Sequence, residues 1–130
     1  MTAIALAPAA RPERMAAGVV TLLAISVFIN YVDRGNFATA APLMKDALGL
    51  TNTQVGVMIS AFFWVYAPGQ FLAGWLAERV SAYLVLAVGL AVWSMATVLT
   101  GLAGGFATLL ALRLLLGLGE CAAFPCSSKL

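Results

Sequence analysis

Arg113-Leu-Leu-Leu-Gly-Leu-Gly-Glu120 decides the class of this chain, because it sets two opposite charges inside an otherwise apolar run. A helix needs about 20 apolar residues to cross a bilayer. Any span of that length between Gly105 and Ser128 holds both Arg113 and Glu120. Their seven-residue spacing is close to two turns, so they share one helix face. An ionised side chain at mid-bilayer costs at least a few kcal/mol, so such residues face a polar interior and serve function. Asp33-Arg34 repeats the anomaly nearer the start, and uncharged runs over 15–32, 47–77 and 80–112 surround both strings. The reading is a polar site inside an all-α membrane protein.

Composition agrees. Hydrophobic residues make up 63% of the chain and charged residues 9%, too few charges to cover a soluble domain of this apolarity. There is no histidine, which excludes Ser-His dyads and His-ligated zinc, and no basic stripe for nucleic acid. No nucleophile is paired with a base and no metal or phosphate motif occurs, so neither an enzyme, a metal site nor a bound cofactor is expected. Cys121 and Cys126 lie about 140° apart around a helix and cannot pair within it; they read as small packing residues. The N-terminal stretch has no basic region before its apolar residues, which Pro8 interrupts, so residues 1–14 read as a cytoplasmic tail rather than a signal peptide.

Four spans fit the remaining 15–130: one starting near Met15, then about 54–77, 83–102 and 106–127. Thr51-Asn-Thr-Gln54 matches a capping box that would start the second. Gly101-Leu-Ala-Gly-Gly105 supplies the turn before the fourth. For the first span, Met15 to Val32 already gives about 27 Å of helix, so Asp33-Arg34 could mark its outer end. The uncharged run from Gly35 to Met44 favours instead one long helix reaching Ala41-Pro42, with the charged pair near its middle. Arg11, Arg14, Arg79 and Lys129 fall on one side and Lys45 on the other, which puts the N-terminus in the cytoplasm. Trp75 and Tyr83 flank the Glu78-Arg79 loop as interfacial aromatics. Gly56 and Ser60, Gly69 and Ala73, and Gly117 and Cys121 have the spacing of close helix contacts.

Within the second span, Tyr66 and Gln70 share a face at membrane depth, and Pro68 can kink the helix. Their polar atoms need partners in a dry interior; Phe62 and Phe63 read as packing or lipid-facing. An arginine in such a cavity is a fixed cation with a fork that fits a carboxylate, while a carboxylate beside it can exchange a proton. Arg113 and Glu120 therefore admit two readings: an exchange site for an anion and a proton, or a permanent buried ion pair. Seven residues span about 10 Å along the axis, so their side chains would have to bend to meet.

Asn30–Met44 (NYVDRGNFATAAPLM), Ser60–Tyr66 (SAFFWVY), Gly74–Arg79 (GWLAER) and Arg113–Glu120 with Pro125 together resemble the major facilitator superfamily. More closely they resemble its anion:cation symporter branch of sugar-acid, phthalate-type and vesicular anion carriers. The resemblance covers nearly everything from Met15. It implies the first four transmembrane helices of a twelve-helix fold, with the site between two six-helix halves and eight further helices as partners. The chain would then be a fragment or a truncated gene product. It implies that Arg34 contacts the substrate carboxylate and that Asp33 and Glu120 are proton-coupling positions. Arg113 would tune Glu120 or help hold the anion, with Tyr31 and Tyr66 lining the cavity. Gly74, Glu78 and Arg79 resemble the gating-loop signature, although Glu78 replaces Asp, Ser81 replaces Gly and Ala82-Tyr83 supply no base.

The expected activity is proton-coupled import of a small organic anion, such as a hexuronate, aldarate, aldonate or aromatic carboxylate, across the cell inner membrane. The proton gradient would supply the driving force. Two alternatives are a drug or metabolite exporter of the same superfamily, and a non-transporting truncated fragment or self-associating four-helix membrane protein.

Overall fold

The computed structural model describes residues 10–130, with side chains from Met15. Helix α1 runs Ala10–Leu48, α2 Asn52–Arg79, α3 Ala82–Thr100, α4 Phe106–Glu120 and α5 Ala123–Ser127. The described residues contain no strand. Backbone polar groups have no partner in a hydrocarbon medium except each other, so apolar stretches of this length fold as helices. Four are long and apolar enough to cross a membrane, the last being α4 and α5 together over Phe106–Ser127.

Helix α1 extends past both expected limits. It starts at Ala10, inside the stretch read as a tail, and continues through Pro42 to Leu48 rather than ending at Ala41-Pro42. Proline there removes one backbone donor, yet the helix carries on to Gly49, whose φ of 62° turns the chain. The Leu50 N–H then bonds back to the Lys45 carbonyl at 2.9 Å. Asp33 and Arg34 consequently sit near the middle of a single long helix. The capping box at the start of α2 is formed in both directions: Gln54 N–H donates to Thr51 Oγ1 at 3.2 Å, and Thr51 N–H to Gln54 Oε1 at 2.9 Å.

The fourth span is not one uninterrupted helix. Regular α-helix stops at Glu120 and resumes at Ala123. Pro125 lacks the N–H that would serve the Cys121 carbonyl, and its ring crowds that same turn. Pro68, by contrast, sits inside an unbroken α2.

Helices α2, α3, α4 and α5 share one core, which includes Phe62, Tyr66, Trp93, Ala96 and Leu116. Two glycines of α4 set the spacing. A methyl on Gly117 would lie 2.7 Å from the Phe62 carbonyl oxygen on α2, and one on Gly119 2.6 Å from the Trp93 nitrogen on α3. Backbones approach this closely only where there is no side chain. A methyl on Gly69 would meet Cys121 Sγ at 2.9 Å, so two of the three expected small-residue pairs lie at helix contacts. Gly56 has nothing within 4 Å of such a methyl and Ser60 is exposed, so the third pair is not a contact among the described residues.

Helix α1 touches this bundle along one narrow stripe, of which Asn30, Phe37 and Ala41 are buried. A second small cluster joins Phe37 to Leu50, Met58 and Leu109. Met15, Val20, Leu22, Phe28 and Leu43 of α1 are apolar and exposed, as are Phe71, Leu102 and Val98 elsewhere; for a membrane protein this is the surface that meets lipid or other helices.

Candidate functional site

The stripe by which α1 meets the bundle is polar. Asn30 and Arg34 are one turn apart and face α4; Asp33 and Phe37 lie beside them on the neighbouring edge. Arg34 Nε donates to Glu120 Oε2 at 3.0 Å, forming an ion pair in which the Glu120 side chain is fully enclosed. The guanidinium carbon lies 4.4 Å from the centre of the Tyr66 ring and 4.9 Å from that of Phe62. Those two rings stack on each other at 5.2 Å. Arg34 is thus held by an acid on α4 and two aromatic faces on α2, a cation–π arrangement strengthened by exclusion of water.

Of the two readings left open for Arg113 and Glu120, the permanent pair between them does not form. Glu120 turns to Arg34, and Arg113 lies with its guanidinium carbon 3.5 Å from the centre of the Phe37 ring. Spacing explains the choice. Residues seven apart on one helix are separated by about 10 Å of rise, whereas a facing helix brings Arg34 to the carboxylate directly. Arg113 is buried and has no ion-pair partner among the described residues.

Asp33 is held separately. Its Oδ2 accepts hydrogen bonds from Trp93 Nε1 at 2.7 Å and Thr97 Oγ1 at 3.0 Å, both on α3. It lines a cavity of about 340 Å³ between α1 and α3 with Ser26, Trp93, Ser94 and Thr97. A second cavity, of about 210 Å³, lies between α1, α2 and α4 and is bordered by both Arg34 and Arg113.

Several buried polar atoms around the stripe have no partner among the described residues: both amide atoms of Asn30, Arg34 Nη2, Arg113 Nε, Glu120 Oε1 and Ser26 Oγ. Buried polar atoms are nearly always hydrogen-bonded. Their concentration along this stripe makes it the candidate site.

The structure therefore gathers Glu120 and Tyr66 around Arg34, with Arg113 on the adjoining cavity and Asp33 on the neighbouring edge of α1, turned to α3. Tyr31 lies at the rim, 58% exposed, its ring 5.6 Å from the Arg34 guanidinium. Gln70 is half-buried one turn beyond Tyr66 and takes no part in the Arg34 contacts. Phe62 packs in the shared core, as one of its two readings had it, and also forms part of the Arg34 seat. Asn30, Phe37, Trp93 and Thr97 were not legible as site residues. Asn30 could have been found as the residue one turn before Arg34, but nothing local singles out Trp93 or Thr97, which reach Asp33 from 60 and 64 positions away.

At one end of the bundle, Glu78 pairs with Lys129 at 3.0 Å, and the Arg79 guanidinium lies 4.4 Å above the Trp75 ring. A methyl on Gly74 would meet Pro125 at 3.6 Å. The end of α2 is thereby tied to α5, and Arg79 and Lys129 share an end, as residues placed on one side of a membrane must.

The family model of the Major Facilitator Superfamily matches residues 23–130. The chain is 43% identical over 119 residues to a probable sulfoacetate transporter of Cupriavidus necator, covering 92% of this chain and 27% of that protein. It is 34% identical over 122 residues to a D-galactonate transporter of Escherichia coli, covering 94% and 28%. It is 41% identical over 102 residues to a hexuronate transporter of Bacillus subtilis, covering 78% and 24%. The chain spans about a quarter of the length of these curated relatives.

Proposed function

The chain belongs to the major facilitator superfamily, in its anion:cation symporter branch, and from that premise we propose that it forms the first four helices of a proton-coupled importer of a small organic anion. The observation that carries this reading is the enclosed ion pair between Arg34 on α1 and Glu120 on α4. A guanidinium held by a single carboxylate oxygen is available to a second acid. A substrate carboxylate arriving at Arg34 competes with Glu120 for the same fork. Two carboxylates at one guanidinium repel each other, which favours protonation of one of them. Proton uptake by Glu120 releases Arg34 to the substrate, and proton loss reclaims it. Anion and proton thus travel together because each removes the obstacle to the other.

In this reading Arg34 binds the substrate carboxylate and Arg113 supplies further positive charge. Tyr66 orients the Arg34 plane, and Tyr31 at the rim contacts the incoming anion. Asp33 is the second proton position, its carboxylate kept in place by Trp93 and Thr97. Gly74, Glu78 and Arg79, expected in a loop, lie on the last turns of α2 and would act there as the gating segment that leads into the turn at Val80. The partly exposed Glu78–Lys129 pair is of a kind worth about 0–1 kcal/mol, weak enough to open and reform in every cycle. The carrier sits in the cell inner membrane with the N-terminus in the cytoplasm, as the Lys/Arg distribution indicates.

The test is Glu120→Gln in the full-length carrier, reconstituted in proteoliposomes. The amide imitates the protonated acid, so substrate counterflow continues while uptake driven by a pH gradient is lost. Retention of both, or loss of both together with unfolding, refutes the proton role and leaves a buried pair whose removal strands a charge.

A further inference from the structure

Trp93 bears on both acids of the site. Its indole Nε1 donates to Asp33 Oδ2 at 2.7 Å, and Thr97 Oγ1, one turn along the same face of α3, donates to the same oxygen at 3.0 Å. Among the described residues no other hydrogen bond joins α1 to α3. The main chain of Trp93 lies against α4 at Gly119, where an added methyl would stand 2.6 Å from the Trp93 nitrogen and 2.9 Å from its Cα. Glu120 is the next residue and ends α4. Trp93 is 6% exposed and belongs to the core shared by α2, α3, α4 and α5. Close-packed interiors transmit a displacement rather than absorb it. The charged groups near Asp33 are Arg34 beside it on α1 and Arg113 and Glu120 on α4; α2 presents Tyr66 to Arg34. Helix α3 meets Asp33 with neutral donors alone, its one titratable side chain being Tyr83 in its first turn.

We infer that Trp93 is a positioning residue that links the two proton positions, holding Asp33 with its indole and bearing with its backbone on the turn of α4 that carries Glu120. This rests on the transport reading above and adds to it how one acid registers the state of the other. An indole N–H can only donate, so Trp93 needs Asp33 as an acceptor. To an ionised carboxylate such a bond is charge-assisted and roughly twice as strong as one between neutral groups. A proton taken up on the other oxygen leaves Oδ2 a carbonyl, and both bonds lose that assistance. A proton on Oδ2 itself would meet the indole hydrogen and break that bond. Thr97 can turn its hydroxyl to accept from the protonated acid; Trp93 cannot. A slackened indole is free to shift. Because its main chain is pressed on Gly119, the shift reaches the turn that aims Glu120 at Arg34.

Ultraviolet resonance Raman spectra of the purified full-length carrier in detergent, less those of its Trp93→Phe variant, isolate the Trp93 indole band that reports hydrogen bonding at Nε1. From about pH 9 down to about pH 4, a range that covers the titration of carboxylates, the band is expected to move from its strongly to its weakly bonded position. In Asp33→Asn it is expected to stay weakly bonded throughout. Gly119→Ala, which presses α3 off α4, is expected to produce part of the shift already at the alkaline end. Thr97→Val is expected to keep the pH response, since Asp33 and Trp93 suffice for it. Should Asp33→Asn or Gly119→Ala fail to fold, the wild-type titration and Thr97→Val decide. A band that does not move with pH, or that moves equally in Asp33→Asn, overturns the inference, and so does a Gly119→Ala band identical to that of the wild type. A carrier with the full response that takes up no organic anion leaves the link standing and removes the transport reading. Proton-driven uptake of an organic anion with a fixed band keeps that reading and overturns the link.

Discussion

Gly119→Ala tests the closest approach in the molecule. The added methyl would lie 2.6 Å from the Trp93 nitrogen and 2.9 Å from the Gly89 carbonyl oxygen and the Trp93 Cα, all backbone atoms. No rotamer change can relieve these contacts, so α3 must move off α4 by about 0.8 Å to reach the 3.4 Å of an ordinary contact. Overpacking of this kind costs about 1–3 kcal/mol. A radial gap of that size also forfeits a quarter to a half of the dispersion energy along the seam. The movement carries Trp93 with it and stretches its 2.7 Å bond to Asp33, a charge-assisted bond worth about 1.5–3 kcal/mol. Against this stands a gain of roughly 0.5–1 kcal/mol from replacing a mid-helix glycine. The balance is a loss of about 2–4 kcal/mol. Gly56→Ala is the control. Nothing lies within 4 Å of its methyl, so only the helix gain remains and the sign reverses. Unfolding of this chain in mixed micelles of increasing SDS content, followed by circular dichroism, measures both. Gly119→Ala at or above wild-type stability would refute the described α3–α4 contact, since no arrangement with backbones this close can admit a methyl without cost.

Trp93→Phe keeps the ring in the core and deletes the indole donor, leaving Thr97 alone on Asp33. It should lower stability by about 1.5–3 kcal/mol in the same titration, and the loss should shrink when Asp33→Asn is already present and grow when Thr97→Val is; full additivity would mean that the three do not form one network. For topology, single cysteines are placed at Asn52 and Val80 of the full-length carrier with Cys121 and Cys126 replaced by alanine. An impermeant thiol reagent on intact cells should label position 52 and spare position 80, and the opposite pattern inverts the orientation.

Membrane class, span count and the location of the charged strings follow from the chain read alone, because each depends on local composition. A run of uncharged residues long enough to cross a bilayer has few other fates, and Thr51–Gln54 carries its capping box within four residues. Element ends were less legible. The proline at position 42 suggested a stop that α1 overrides, while Pro125 broke a span expected to be continuous, because the effect of a proline depends on the packing around the turn it disturbs. Pairing of the charges was the part that only the tertiary structure decided. The shared face of Arg113 and Glu120 left open whether the two pair permanently or form an exchange site. Which cation a carboxylate takes is a matter of distance across helices, and glycines 117 and 119 set those distances by letting α2 and α3 close on α4. Helix α1, laid against that bundle, brings Arg34 within 3.0 Å of Glu120, gives Asp33 its donors on α3 and leaves Arg113 without an ion-pair partner among the described residues. Local pattern determines which residues are costly to bury; only the packed helices determine which of those costs is met by a partner among the described residues.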